Sequence, residues 1–127
     1  MIKTDIAQYT PAWWSGKNES GYTPISDAVL VMIDTVLEVR ESGISIPQES
    51  KERQDMAAET GIIVALGEGA FVWTADRRRP LTGRKPVPGE RVFMERYAGR
   101  IIYGDDGKTY RLVTDRQVGA VKEVTGG

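Results

Sequence analysis

Residues 100–113 read Arg100-Ile-Ile-Tyr-Gly-Asp-Asp-Gly-Lys-Thr-Tyr-Arg-Leu-Val113. Two β-rich runs, 100–103 and 109–113, flank a polar connection in which Gly107 can take the positive φ of a tight turn, so the stretch predicts a β-hairpin. Outward from it the same pattern repeats. Pro88-Gly89 is a turn dipeptide ahead of Arg91-Val-Phe-Met94, and Gly61-Ile-Ile-Val-Ala-Leu-Gly67 is an apolar run closed by glycines. Ala28-Val-Leu-Val-Met-Ile33, bounded by Asp27 and Asp34, is a further β-branched run, and Val118, Ala120, Val121 and Val124 form the last apolar stretch. Several short strands without a long apolar helical stripe predict an all-β chain, a small barrel or sandwich.

The segments between these runs are polar. Residues 1–23 read as an irregular N-terminal arm ahead of a barrel domain over 24–127, and the arm's Trp13 and Trp14 need an apolar surface on which to dock. Residues 40–59 are charged or small, with Gly43 and Pro47 opposing a regular helix, so a mobile loop is expected there. Within it Ile44 and Ile46 stand isolated from other apolar residues. Extended backbone places them on one face with Ser45 opposite, which suits either insertion into a groove on another protein or a loop tucked back on its own barrel. Residues 70–86 read as a projecting hairpin carrying Trp73, Arg77, Arg78 and Arg79, then Arg84 and Lys85. Its tip is either solvated or able to stack and neutralise a nucleic-acid strand.

Composition removes much chemistry. The chain has 127 residues, enough for one domain, and its 40% hydrophobic content supports a packed core. With no Cys and no His, disulfides, thiolate nucleophiles, Cys/His zinc sites and imidazole-based triads are excluded. Gly67-Glu-Gly69 lacks the third glycine of a dinucleotide fingerprint, since Val72 stands in its place, and there is no Walker-type Gly-Lys-Ser/Thr. Asp105-Asp106 reads as a pair of turn residues rather than a metal site. The formal net charge of −1 gives no global field for a polyanion. The longest apolar run is too short to span a bilayer, and the first residues lack a secretory pattern, so a cytoplasmic protein is expected, while catalysis by carboxylates, Lys, Tyr and Ser stays open.

The collinear order of these features resembles the GroES-type co-chaperonin family, the small chaperonin subunit that forms the lid of the double-ring folding chaperonin. Pro24 through Val31 resembles the family's opening strand. Ser42-Gly43-Ile44-Ser45-Ile46-Pro47 resembles its mobile-loop motif, and Gly61 through Gly69 the strand after that loop. Val87-Pro-Gly-Glu-Arg-Val-Phe93 resembles the family's Val-x-x-Gly-Asp-x-Val, Tyr97-Ala-Gly99 its Tyr-x-Gly, and residues 110–121 its closing strand pair. Ser45 replaces a usual apolar residue, the loop and hairpin are enlarged, and residues 1–23 have no counterpart, which marks a divergent member of the kind a virus could encode.

The resemblance implies a GroES-like β-barrel whose Gly43, Ile44, Ser45, Ile46 and Pro47 bind the large chaperonin ring, with an unfolded substrate protein enclosed beneath. It implies a roof formed by the hairpin with Trp73, Arg77, Arg78 and Arg79. It also implies a homo-heptamer in which the first and last strands of adjacent barrels pair, placing Val29, Val31, Ala120 and Val121 at the subunit interface. ATP and Mg²⁺ would be bound by the partner ring, with no cofactor and no metal on this chain. Rival readings are an OB-like single-stranded nucleic-acid module and a structural barrel of a viral particle.

Overall fold

The computed structural model describes residues 9–10, 14–36, 48–74 and 76–123. Eight strands are present: β1 (Tyr9–Thr10), β2 (Ala28–Ile33), β3 (Thr35–Val36), β4 (Thr60–Leu66), β5 (Arg91–Met94), β6 (Arg100–Tyr103), β7 (Thr109–Thr114) and β8 (Val118–Val121). Six of them form one antiparallel sheet in the order β6-β7-β2-β4-β5-β8, and β1 pairs with β3 in a small second sheet. The all-β reading holds. The hairpin of 100–113 is β6 and β7, in register from Arg100 opposite Leu112 to Tyr103 opposite Thr109, with Gly107 at φ +82° in the connection. Tyr110 locks that connection by donating its hydroxyl to Asp106 Oδ2 at 2.5 Å. Burial, and then the Asp106 carboxylate, push the phenol's pKa well above its ordinary value, so it stays protonated in this role.

β2 organises the core because both its faces are buried. Val29, Val31 and Ile33 point into one cluster with Ile63, Val92, Met94 and Val113, while Leu30 and Met32 pack on the other side with Val64 and Tyr110. Trp14 and Leu112 close over that second cluster. The docking expected of Trp14 is thus seen, whereas Trp13 lies outside the described residues.

This corrects the expectation that Val29 and Val31 line a subunit interface. β2 is hydrogen-bonded by β4 on one side and β7 on the other, and both valines are completely buried. The uninterrupted apolar run of 28–33 therefore reflects burial on both faces of an interior strand, where an edge strand would alternate.

A second correction concerns residues 40–59, where α1 (Gln48–Ala57) occupies the latter half. Its sequence, QESKERQDMA, consists almost wholly of good helix formers, and Pro47 precedes the first turn, so it interrupts no helical hydrogen bond. Polar residues dominate it, so no apolar stripe announced it. Its attachment comes from its last turn, where Asp55 is buried and Ala58 follows it into the core.

Candidate functional site

The chaperonin-binding motif predicted at Gly43, Ile44, Ser45, Ile46 and Pro47 lies outside the described residues. The structure does describe the two places where the chain enters and leaves residues 37–47. On the N-terminal side, Asp34 ends β2. Its carboxylate accepts from Thr60 Oγ1 at 2.6 Å and pairs with the Arg91 guanidinium, tying this end to β4 and β5. Immediately beyond, β3 pairs antiparallel with β1, with Tyr9 opposite Val36 and Thr10 opposite Thr35. Residues of the N-terminal arm thus brace the first stem of the segment.

On the C-terminal side the brace is Arg111. This fully buried arginine donates from Nε to the Ala98 carbonyl at 3.2 Å and from Nη1 to those of Asp55, at 3.2 Å, and Ala58. Its Nη2 donates to the Glu95 carbonyl at 2.6 Å. Four carbonyls from the end of α1 and from the turn after β5 are gathered on one guanidinium, which satisfies acceptors that a helix C-terminus leaves open. The Tyr97 amide adds a further bond to the Met56 carbonyl at 2.6 Å. Burial depresses the guanidinium's pKa while the Asp55 carboxylate acts to raise it, and Asp55 is itself only 1% exposed.

The same turn explains the Tyr97-Ala-Gly99 motif. Gly99 has φ +68°, and a Cβ there would lie 2.0 Å from the Leu112 carbonyl oxygen. Arg111 escaped sequence reasoning, although alternation along β7 would have found it: Arg111 and Val113 share the core face.

Of the residues expected at a subunit interface, Ala120 and Val121 lie on β8, which among the described residues pairs only with β5 and forms one edge of the sheet. Ala120 is exposed and Val121 half-buried. Beside this edge runs a groove of about 350 Å³ whose lining mixes apolar Phe71, Leu81 and Val118 with charged Arg84, Asp115 and Glu123. The residues before β2 hold two exposed apolar side chains, Tyr22 and Ile25, the latter 72% exposed. Sequence reasoning counted Tyr22 as an anchor of the arm and Ile25 as part of the opening stretch 24–31, and placed neither at an interface because the apolar run starts only at Ala28.

The predicted hairpin forms around a bridge between Trp73 and Pro80, with the Leu81 amide donating to the Val72 carbonyl and the Thr74 amide to that of Arg79. Two cations hold it to the barrel. Arg77 Nη2 lies 2.6 Å from Asp27 Oδ2, and Arg84 reaches both Glu90, at 2.5 Å, and Glu123, at 2.9 Å. The Arg84 guanidinium, then the Val87 amide, hold the Glu90 carboxyl below its usual range, so its bonds persist under mild acid and weaken as pH falls through that lowered pKa. Phe71 stands at φ +60°, a conformation rare for an aromatic residue, and its amide donates to Asp115 Oδ2 at 2.9 Å. Trp73, Arg78 and Arg79 remain exposed at the outer end, where Arg78 is 4.0 Å from Asp76.

Compared with known proteins, residues 21–122 match the family model described as the chaperonin 10 Kd subunit. The co-chaperonin GroES of Geobacillus stearothermophilus is 29% identical over 98 residues, covering 77% of this chain and 95% of that protein. The co-chaperonin GroES of Corynebacterium diphtheriae is 32% identical over 100 residues, covering 79% and 92% respectively. That of Mycobacterium marinum is 31% identical over 99 residues, covering 77% and 90%.

Proposed function

The chain belongs to the chaperonin 10 Kd subunit family, and on that premise we propose that it is a non-enzymatic co-chaperonin lid, capping an ATP-driven double-ring chaperonin in the cytoplasm and enclosing non-native protein. The observation that carries this reading is the family match over 21–122, which spans the sheet, the hairpin and the loop motif. In this reading Ile44 and Ile46 enter an apolar groove of the large ring, with Gly43 and Pro47 bounding the contact and Ser45 weakening it. ATP and Mg²⁺ reside on the partner ring. Each motif alone binds weakly, and several carried by one ring bind through avidity, so a small change at each site releases the whole lid. Stems fixed by Asp34 and Arg111 at the two ends of 37–47 suit that task, since they hold the motif's attachment points on the rigid sheet.

The lid is a homo-heptamer in this account. The free edge of β8 and the groove beside it receive the Tyr22–Ile25 segment of a neighbouring copy, an arrangement supported by the exposure of Tyr22 and Ile25 and by the position of β8 at the end of the sheet. Ile25→Asp places a charge in that seam. The expected outcome is a shift from ring to monomer in sedimentation at micromolar concentration, with a near-unchanged circular dichroism spectrum, because the side chain lies outside both core clusters. A ring that persists in this variant would remove Ile25 from the seam.

Function is tested by the refolding of a chaperonin-dependent protein. Yield should rise when this chain is added to the double ring and ATP, and should stay at its unassisted level when either is omitted.

A further inference from the structure

The hairpin concentrates charge of one sign. Residues 71–86 carry five basic side chains against the single acid Asp76, while the remainder of the chain carries twelve against seventeen. Arg77 and Arg84 are held in ion pairs with Asp27, Glu90 and Glu123, so they serve the barrel. Arg79 and Lys85 have no ion-pair partner among the described residues and are exposed, and Arg78 is 83% exposed beside Asp76. Next to them stand the exposed apolar side chains Val72 and Trp73, at 37% and 42%. A cationic tip with an uncovered indole on an otherwise acidic molecule is a surface for a ligand that is both anionic and apolar.

We propose that the exposed face of this hairpin, from Trp73, Arg78 and Arg79 at the tip beside Val72 to Lys85 on the return towards β5, is a docking surface for acidic segments of non-native polypeptide. The proposal rests on the lid reading for the presence of such a polypeptide and names the class that the lid would favour. Charge placement favours polypeptide over nucleic acid. A phosphate backbone carries charge at every residue and would continue from the tip onto the acidic remainder of the molecule, whereas an acidic segment can alternate glutamates at the tip with apolar side chains on Trp73. One exposed tryptophan is also a meagre platform for successive bases. Assembly into a ring multiplies the effect, since each copy contributes the same tip and weak contacts add through avidity.

The test uses the full chain and three fluorescein-labelled probes: an unstructured peptide of glutamate, serine, leucine and phenylalanine, the same peptide with lysine in place of glutamate, and an oligothymidine of similar length. At low salt the acidic peptide should bind and the lysine peptide should not. Added salt should weaken binding, as expected for exposed charges. The triple substitution Arg78→Glu, Arg79→Glu, Lys85→Glu should weaken it by about tenfold or more, the sum of several exposed ion-pair contacts. Trp73→Ser should weaken it severalfold while preserving the salt dependence.

Acidic-peptide binding unaffected by the triple substitution, no binding at low salt, or tighter binding of oligothymidine than of the acidic peptide each overturns the proposal. Capping is measured in parallel on the same variants and should be retained, because none of the substituted residues lies in 43–47 or on β8. Charge-dependent peptide binding by a chain that never caps a chaperonin would support the docking surface and remove the lid reading, so the two failures are distinguishable.

Discussion

Ile44→Asp or Ile46→Asp abolishes nucleotide-dependent association with the chaperonin ring and leaves the mass of this chain's own oligomer unchanged. Burial of one isoleucine contributes about 1.5–3 kcal/mol, and an aspartate placed in the same apolar groove adds a desolvation cost of similar size or larger. A loss of about 2 kcal/mol at each of about seven motifs on one ring amounts to about ten orders of magnitude in the association constant, because about 1.4 kcal/mol is a factor of ten. Capping is then lost entirely. The oligomer is spared because the core and the free edge are carried by strands drawn from residues 28–33, 60–66 and 91–121, none of which is altered. Native mass of each variant, with and without chaperonin and nucleotide, checks both halves. Ring dissociation in either variant, or undiminished capping in both, would contradict the assignment of the motif.

Arg111→Met lowers the stability of the folded chain by about 3–5 kcal/mol, the range for removing one member of a buried charge pair. Methionine fills much of the volume but offers no donor, so the carbonyls of Asp55, Ala58, Glu95 and Ala98 lose their shared partner and the Asp55 carboxylate loses its neighbouring cation. Urea unfolding at fixed protomer concentration measures the change. Arg111→Lys separates charge from geometry: it keeps the cation beside Asp55 but cannot form the planar fork that reaches α1 and the 95–98 turn together, so it should recover only part of the loss. A methionine variant as stable as the parent would show that the clamp does not hold α1.

Much of the sheet was legible because its strands carry local signals. The Gly-Asp-Asp-Gly turn gave the β6–β7 hairpin, and the glycine-closed run gave β4, since both depend on neighbours in sequence. What failed to show depends on tertiary neighbours. The apolar run of 28–33 carries the burial of both faces, but not the identity of the flanking strands, and it is the pairing with β4 on one side and β7 on the other that makes β2 central. α1 was hidden because its polar sequence has no apolar face, and its C-terminus is held by Arg111, which is 54 positions beyond Ala57 in the chain. The pairing of β1 with β3 joins residues about 26 apart through two-residue strands, too short for any periodicity.

The candidate site was legible in part. Ala120 and Val121, expected at an interface, lie on an edge strand, while the loop motif read from its isolated isoleucines and family order lies outside the described residues. Tyr22 and Ile25 were invisible as a surface because only the folded chain shows how much of each is left exposed. At the hairpin, spacing located the arginines, but it could not show that Arg77 is committed to Asp27, 50 residues away, while Arg79 is not.

The central claim is that this chain is the lid of a chaperonin, and the most direct measurement is its native mass alone and after addition of a double-ring chaperonin with and without nucleotide. The account predicts a particle of about 98 kDa, seven chains of 14.0 kDa, that adds to the chaperonin only when nucleotide is present. A monomer that never joins the ring in any nucleotide state would contradict it.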